Sequence, residues 1–251
     1  MINYIVSNSY GVGDALMTLN TIFLFEKNKN REITISFHQR DNEKTKFNFL
    51  NISNIFSYFF LKPISLNCHI KYESSSLEPD EIGEENFKIK DYKNFYFDTI
   101  EKHNLELDIE RCKNRKGVSS LFYELGDNYY AKKSISKEEY KILKKNFKIE
   151  ELYQFKDEIR TRNIFHKQCG EEIIGKNLKI INRSNMFIGS EGLWTHYSRA
   201  LGVKTYCINS QGRYLANMKR NFQSISDLFK KQGHFLFKDF DTLHGNINGK
   251  N

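Results

Sequence analysis

The sequence predicts an α/β protein with parallel sheets, and two segments carry this prediction. At the N-terminus an apolar strand, Ile2–Ser7, leads through a glycine-containing turn into a helix from Asp14 to about Lys27, and a second strand, Ile33–Phe37, follows. In the last third of the chain the strand–turn–helix–strand order recurs over residues 186–208. Strands that alternate with helices are typical of parallel sheets covered by crossover helices. We therefore expect two Rossmann-like halves, residues 1–110 and 111–251.

Weaker signals lie between these segments in the N-terminal half. The patterns predict, in order, a buried helix at Phe47–Phe60, a strand at Ile64–Tyr72, a solvated loop at Glu73–Glu85, a short strand at Phe95–Phe97 and a crossover between the halves at Asp98–Lys116.

The C-terminal half begins with a clear helix start. Ser136 is followed by Glu138 and Glu139, as expected for an N-cap and an acidic first turn, so we expect a helix over Ser136–Phe147. The next residues continue in helical register over Glu150–Cys169, and a helix is predicted at Glu171–Arg183. A strand at Met186–Ile188, a tight turn at Gly189–Gly192 and a helix at Leu193–Leu201 closed by Gly202 follow. The chain is then predicted to form a strand at Lys204–Ile208, a helix at Arg213–Lys231, a strand at Phe235–Phe237 and a disordered tail at Gly245–Asn251.

Composition indicates a folded, reduced and non-membrane chain. Hydrophobic residues make up 39% and charged residues 28%, which excludes wholesale disorder. The four cysteines are far apart and form no C-x-x-C pair, so neither a zinc site nor a disulfide framework is expected. No segment approaches the roughly 20 apolar residues that cross a bilayer, and the N-terminus has no secretory signal pattern. We expect a cytoplasmic protein.

The formal net charge of +8 leaves two interpretations open. An excess of Lys and Arg favours an anionic partner such as a nucleic acid, a membrane surface or a phosphorylated sugar. The same excess, together with abundant Asn, Ile and Phe, is also what AT-rich coding would produce.

The most informative segment runs from Gly189 to His196, where a strand ends, a glycine turn follows and a helix begins. The first N–H groups of a helix have no partner inside the helix, and with the helix dipole they form an anion site suited to phosphate. Gly189 and Gly192 permit a close backbone approach that a side chain would block. The other candidate residues are Ser190, Glu191, Thr195 and His196. A plain strand–helix corner explains the same spacing, with His196 as a packing residue.

This segment resembles the donor-binding motif of the heptosyltransferase family of GT-B glycosyltransferases. That motif has a small-residue turn with an acidic residue, then glycine, then Thr or Met before a His, and then small residues and "ALG-V". The residues that match in order are Gly189, Glu191, Gly192, His196, Ala200, Leu201, Gly202 and Val203. The resemblance implies that Glu191 and Gly192 contact the donor sugar and nucleotide, and that Thr195 and His196 line the diphosphate.

A second match lies near the N-terminus, over Ser9–Leu19. It resembles the family's first loop and helix, in which a Gly-Asp pair precedes "hhxTL". The resemblance implies that Asp14 is the catalytic base. We also expect Gly11 and Gly13 of the glycine turn to belong to the co-substrate site. A carboxylate can accept the proton of a sugar hydroxyl as the new bond forms. Helix capping is the alternative role for Asp14.

The middle of the chain departs from the family pattern. It is shorter, and it lacks the proline–glycine turn and the following lysine that meets the phosphates. The basic residues that could take that lysine's place are Lys132, Lys133, Arg183 and Arg213. One Asp-x-Asp pair, Asp239 and Asp241, could hold a metal, but we interpret it as a solvated surface pair and expect neither a metal nor another cofactor.

Together these features imply a metal-independent GT-B glycosyltransferase of reduced size. It would move a sugar from a nucleotide-diphosphate sugar to a saccharide or lipopolysaccharide-type acceptor, in a cleft between the halves. Three alternatives stay open. The acceptor is a modified DNA base, or the chain binds a nucleotide sugar without turnover, or the chain is a basic nucleic-acid-binding protein. The last is the least supported because no recognised nucleic-acid module is present.

Overall fold

The computed structural model describes residues 2–7, 12–26, 29–39, 68–74, 86–89, 98–99, 101–102, 116–120, 136–153, 168–190, 192–208 and 221–249. The chain divides into two compact units. The first comprises Met1–Leu105 and Lys156–Glu171, and the second comprises Glu106–Phe155 and Glu172–Asn251.

The first unit contains a parallel sheet in the strand order β3-β2-β1-β4. Its elements are β1 (Ile2–Ser7), α1 (Val12–Glu26), β2 (Ile33–Gln39), β3 (Cys68–Ser74) and β4 (Asn86–Ile89). Tyr4, Ile5 and Val6 of β1 are all buried. Since successive side chains of a strand point to opposite faces, both faces of the sheet are covered at β1. From α1, Leu19 and Phe23 add one buried stripe at helical spacing.

The second unit contains a parallel sheet in the strand order β6-β5-β7-β8-β9. Its elements are β5 (Val118–Ser120), α2 (Lys137–Asn146), β6 (Ile149–Glu151), α3 (Gln168–Arg183), β7 (Met186–Ser190), α4 (Leu193–Ala200), β8 (Lys204–Ile208), α5 (Phe222–Lys231), β9 (Phe235–Phe237) and α6 (Phe240–Ile247). The predicted α/β class with parallel sheets in both halves is confirmed.

Helices cover both faces of the second sheet. On one face, α2 and α6 close a core made of Val118, Tyr140, Leu143, Ile188, Tyr206, Ile208, Phe237, Phe240 and Leu243. On the other face, Phe187, Cys207 and Leu236 alternate with those strand residues and are equally buried. Helix α4 contacts β7 and β8 there, and α5 contacts β9. The result is a three-layer α/β/α unit.

Local signals account for the elements that the sequence predicted well. The Ser136 hydroxyl accepts a hydrogen bond from the Glu139 N–H at 3.2 Å, and the Glu139 carboxylate accepts one from the Ser136 N–H at 2.5 Å. This capping box starts α2 where it was predicted. The predicted strands β1, β8 and β9 have the bounds observed, and α4 ends before Gly202, whose φ of 68° suits glycine.

Several predictions were wrong. Residue Glu150 begins no helix, because it lies in the edge strand β6, and strands β4 and β5 were not predicted at all. The tail predicted to be disordered from Gly245 contains the end of α6. Asp239 caps this helix, and buried Phe240 and Leu243 hold it on the sheet.

Other bounds also differ. Helix α5 begins at Phe222, after its N-cap Asn221, so the predicted helix from Arg213 does not run unbroken to Lys231. Glu73 and Ser74 end β3 and do not begin a loop. The predicted helix at 47–60, the predicted strand at 95–97 and most of the predicted crossover lie outside the described residues.

A buried carboxylate joins three segments of the first unit. The Glu26 side chain at the end of α1 is 0% exposed. It accepts hydrogen bonds from Arg31 Nε at 2.5 Å and Nη2 at 2.6 Å, one from the Tyr4 hydroxyl, and an ion-pair contact from Lys29 at 3.3 Å. Burial alone would raise the Glu26 pKa. The hydrogen bonds from Arg31 and Tyr4 and the charge of Lys29 outweigh burial and hold the pKa below its ordinary value of 4.5.

Glu26→Gln is expected to lower the free energy of unfolding at pH 7 by about 3 kcal/mol, the low end of the range for removing one partner of a buried ion pair. Because the folded-state pKa of Glu26 is lowered, its contribution is complete above pH 4.5 and is lost as the pH falls through the folded-state pKa. The matched control is Glu32→Gln. The native Glu32 side chain is 41% exposed, and its carboxylate lies 3.2 Å from Nε2 of His69. The control should cost about 1 kcal/mol or less. Denaturant titrations giving equal losses for the two variants would contradict this account.

Candidate functional site

The topology of the second sheet marks one position for a ligand. From β5 the chain adds β6 on one side, and β7, β8 and β9 then follow on the other side. Right-handed crossovers therefore place the helices after β5 and β7 on opposite faces. In open α/β sheets a crevice forms at such a reversal, outside the carboxyl ends of the two strands. These ends are Ser120 of β5 and Ser190 of β7.

The predicted glycine corner lies at this reversal. Strand β7 ends at Ser190, and α4 begins at Leu193. Gly189 and Ser190, predicted in a turn, are the last residues of the strand. Ser120 donates a hydrogen bond from its hydroxyl to the Ile188 carbonyl at 2.7 Å, which ties the ends of β5 and β7 together. Ser120 was not among the predicted residues, because a three-residue strand of Val-Ser-Ser carries no periodic signal.

Packing explains why position 189 is a glycine. A Cβ atom at Gly189 would lie 2.8 Å from Cε1 and Cζ of Phe187. Phe187 lies two residues earlier, on the same face of the strand, and is 1% exposed. The aromatic ring therefore lies against the bare glycine backbone at the end of the strand.

Helix α4 begins without a side-chain cap. Its N-cap is Gly192, which makes no side-chain hydrogen bond, whereas Ser136, Asn221 and Asp239 cap α2, α5 and α6 through their side chains. The Gly192 carbonyl accepts the helical hydrogen bond of the His196 N–H at 3.1 Å. The N-cap residue thus offers the first N–H groups of α4 no acceptor, and the helix dipole favours an anion at this end.

Thr195 fixes the angle between strand and helix. Its hydroxyl donates a hydrogen bond to the Ser190 carbonyl at 2.6 Å, and the residue is 1% exposed. This bond crosses the corner and joins the first turn of α4 to the last residue of β7. Thr195 is therefore a positioning residue, and its predicted contact with a diphosphate stays a prediction.

His196 is buried, with 4% of its surface exposed. Its location one turn into α4 is the one predicted, and its burial is what the packing interpretation expects. A role beside the diphosphate stays a prediction.

The N-terminal corner occupies the same topological position in the first sheet. After β1 the chain adds β2 and β3 on one side, and β4 follows on the other side of β1. The reversal lies between β1 and β4, and α1 follows β1 directly. Gly13 and Asp14, expected at the turn and the helix start, are the second and third residues of α1. The Asp14 side chain lies outside the described part of the chain.

Other predicted residues are either elsewhere or outside the described residues. Arg183 lies at the C-terminal end of α3, where its Nε donates to Glu150 at 2.9 Å. Since crossover helices run antiparallel to the strands, this end is opposite the glycine corner, and Arg183 is not a phosphate ligand there. The residues outside the description are Gly11, Lys132, Lys133, Glu191 and Arg213.

Asp239 and Asp241 are exposed, as predicted. The Asp239 carboxylate accepts hydrogen bonds from the N–H and hydroxyl of Thr242 at 2.8 and 2.6 Å, and these bonds lower the Asp239 pKa. Its role is to cap α6. Within the described ranges we find no group of three or more His, Cys, Asp or Glu residues that could hold a metal ion. None of the helices described above is long and apolar enough to cross a membrane.

Comparison with known proteins gives structural similarities only. No family model and no curated protein matches the chain. Among solved structures the chain is similar to E. coli heptosyltransferase WaaC with ADP-2-deoxy-2-fluoro heptose, with a TM-score of 0.45 and 9% identity over 100% of this chain and 98% of that one. A structure of E. coli heptosyltransferase WaaC with ADP gives 0.42 and 8% over 100% of both chains. Similarities of this size do not assign the chain to a family.

Gly189→Ala is expected to lower the free energy of unfolding by about 1–3 kcal/mol, because the added methyl group overpacks the corner against Phe187. Gly175→Ala in α3 is the control. Its Cβ would meet no described atom within 4 Å outside its own helix backbone, so this change should raise the free energy by about 0.5–1 kcal/mol. Urea denaturation compares the two variants, and a neutral or stabilising Gly189→Ala would show that Phe187 does not require glycine.

Proposed function

We propose that this protein is a glycosyltransferase that moves a sugar from a nucleotide-diphosphate sugar to a hydroxyl of a saccharide or glycolipid. One observation carries the proposal. Both segments that resemble the heptosyltransferase motifs lie at the carboxyl end of a strand at the reversal of a parallel sheet, β1 in the first unit and β7 in the second. Carboxyl ends of strands at such reversals are where open α/β sheets bind ligands.

The second unit would bind the donor. Its diphosphate would lie at the N-terminus of α4, where Gly192 supplies no side-chain acceptor and the helix dipole is favourable. The Glu191 carboxylate would accept hydrogen bonds from sugar hydroxyls, and Arg213 would add a positive charge beside the phosphates. These donors would also stabilise the departing diphosphate, so the proposal needs no metal ion.

The first unit would supply the base. Asp14 would accept the proton of the acceptor hydroxyl while the acceptor oxygen forms a bond to the anomeric carbon of the donor. The bond from that carbon to the diphosphate oxygen breaks, and the nucleoside diphosphate leaves with the electron pair.

A nucleotide-sugar-binding protein without turnover is the second candidate. The middle of the sequence favours it, because that segment lacks the lysine which, in the family it resembles, meets the phosphates.

Thermal unfolding with UDP-, GDP-, ADP- and CDP-sugars tests both candidates. A cognate donor at about 100 times its Kd is expected to stabilise the protein by about 2.7 kcal/mol. Asp14→Asn should keep this shift but lose about 100- to 10,000-fold in transfer rate, the usual contribution of a general base. Normal transfer by Asp14→Asn would show that Asp14 is not the base. A donor that stabilises the native chain but is neither transferred nor hydrolysed would favour the binding protein, and no shift with any donor would contradict both candidates.

The bond from Thr195 to Ser190 gives a second prediction. Thr195→Val removes the hydroxyl that holds the corner, and donor affinity should fall about fivefold, as expected for a lost hydrogen bond of about 1 kcal/mol. Thr195→Ser keeps the hydroxyl and should bind the donor as the native chain does. Isothermal titration with the donor found above measures both affinities. Equal affinity of the Val and Ser variants would show that the hydroxyl does not position the site.

A further inference from the structure

Positive charge is concentrated on one edge of the second unit. Helices of a parallel α/β unit run antiparallel to the strands, so helix C-termini lie beside strand N-termini, at what we call the amino edge. Eight exposed cations lie there: Lys116, Lys148 and Lys204 at the starts of β5, β6 and β8, and Lys144, Lys145, Arg183, Lys230 and Lys231 in the last turns of α2, α3 and α5.

Backbone hydrogen bonds order part of this edge. The Asn185 N–H donates to the Gly117 carbonyl at 3.1 Å, and the Lys204 N–H donates to the Asn185 carbonyl at 3.3 Å. Lys116 and Lys204 therefore lie on either side of the start of β7. Five strands at a spacing of about 4.8 Å make this row about 20 Å long.

Two of the eight cations pair with a carboxylate of a described residue. Arg183 pairs with Glu150, and Lys144 pairs with Glu151. The other six have no carboxylate partner among the described residues. Like charges on neighbouring elements repel one another, so the described residues give the amino edge an excess of positive charge that an anionic partner would relieve.

Helix capping explains only part of the pattern. Lys145, Lys230 and Lys231 suit the negative ends of helix dipoles. Lys116, Lys148 and Lys204 lie at strand starts, where no helix dipole favours a cation. The acidic first turns of α2 and α6 lie at the opposite edge.

The residue types on the amino edge favour one class of anionic partner. The six cations that have no described carboxylate partner are all lysines, which act as point charges, whereas planar bidentate recognition uses arginine. The exposed large hydrophobic side chains of the described residues are Ile142 and Tyr153, and neither lies on the amino edge. The described aromatic side chains at this edge, Phe147 and Phe235, are only partly exposed, and Nζ of Lys204 lies 5.2 Å from the centroid of the Phe235 ring, so a base finds no fully exposed ring to stack on. The strand starts lie in the middle of the amino edge, and the helix C-termini lie on both faces of the sheet. The lysines therefore cover a surface that extends in two dimensions.

We propose that the amino edge docks this protein on an anionic phospholipid surface. A two-dimensional array of lysines without a fully exposed large apolar side chain fits the headgroup plane of such a membrane, where each lysine contributes about equally. In this orientation the corner at Gly189–Gly192 lies on the edge directed away from the lipid, toward water. The inference does not depend on sugar transfer, because it uses residues on the other edge of the sheet.

Co-sedimentation of the full chain with lipid vesicles tests the proposal. Vesicles of phosphatidylcholine with about a third phosphatidylglycerol should bind the protein at low salt and release it at about 0.5 M salt, whereas pure phosphatidylcholine should not bind it. The test variant replaces Lys116, Lys148 and Lys231 by Gln. Its partition coefficient should fall on the order of 100-fold, since about 1 kcal/mol per lysine is about fivefold for each.

The matched control replaces Lys137, Lys141 and Lys238 by Gln. These lysines are equally exposed but lie outside the amino edge. The control changes the net charge by the same amount and should bind within about twofold of the native chain. Circular dichroism melting confirms that both variants fold. Equal weakening of both variants, no binding of the native chain to anionic vesicles, or tighter binding to duplex DNA than to vesicles at equal phosphate concentration would each overturn the proposal.

Discussion

The order of strands in each sheet determines where a ligand is expected to bind relative to the two glycine corners. In both units the chain builds the sheet outward in one direction and then crosses back past its first strand. Because crossovers are right-handed, the helices on either side of this reversal lie on opposite faces. The carboxyl ends of β1 and β4, and of β5 and β7, are therefore the positions where a crevice is expected and where backbone N–H groups of a following helix can meet an anion.

At the second reversal, ordinary packing forces shape the corner. Gly189 leaves room for the Phe187 ring, Thr195 ties α4 to the Ser190 carbonyl, and Ser120 ties β5 to β7. None of these contacts needs a ligand. They hold the uncapped start of α4 in one place, and such preorganised N–H groups stabilise charge without rearrangement.

The sequence predicted what local chemistry determines. The N-cap at Ser136 and the glycine end of α4 need only neighbouring residues, and both predictions are confirmed. Strand β5 could not be predicted, since Ser120 is buried only because its hydroxyl reaches a carbonyl on another strand. The position of the glycine corner was predictable from its strand–helix pattern. The Thr195 bond was not, because nothing in the spacing shows that the helix turns back over the strand end.

Nucleotide binding at the start of α4 is the central claim, and amide chemical shifts of the Gly192–Thr195 segment under titration with UDP, GDP, ADP and CDP test it most directly. One of these nucleotides should shift the first-turn amides of α4 in a saturable way, as expected when a diphosphate binds at a helix N-terminus. Shifts confined to the amino edge of the sheet, or no saturable shift with any nucleotide, would contradict the account.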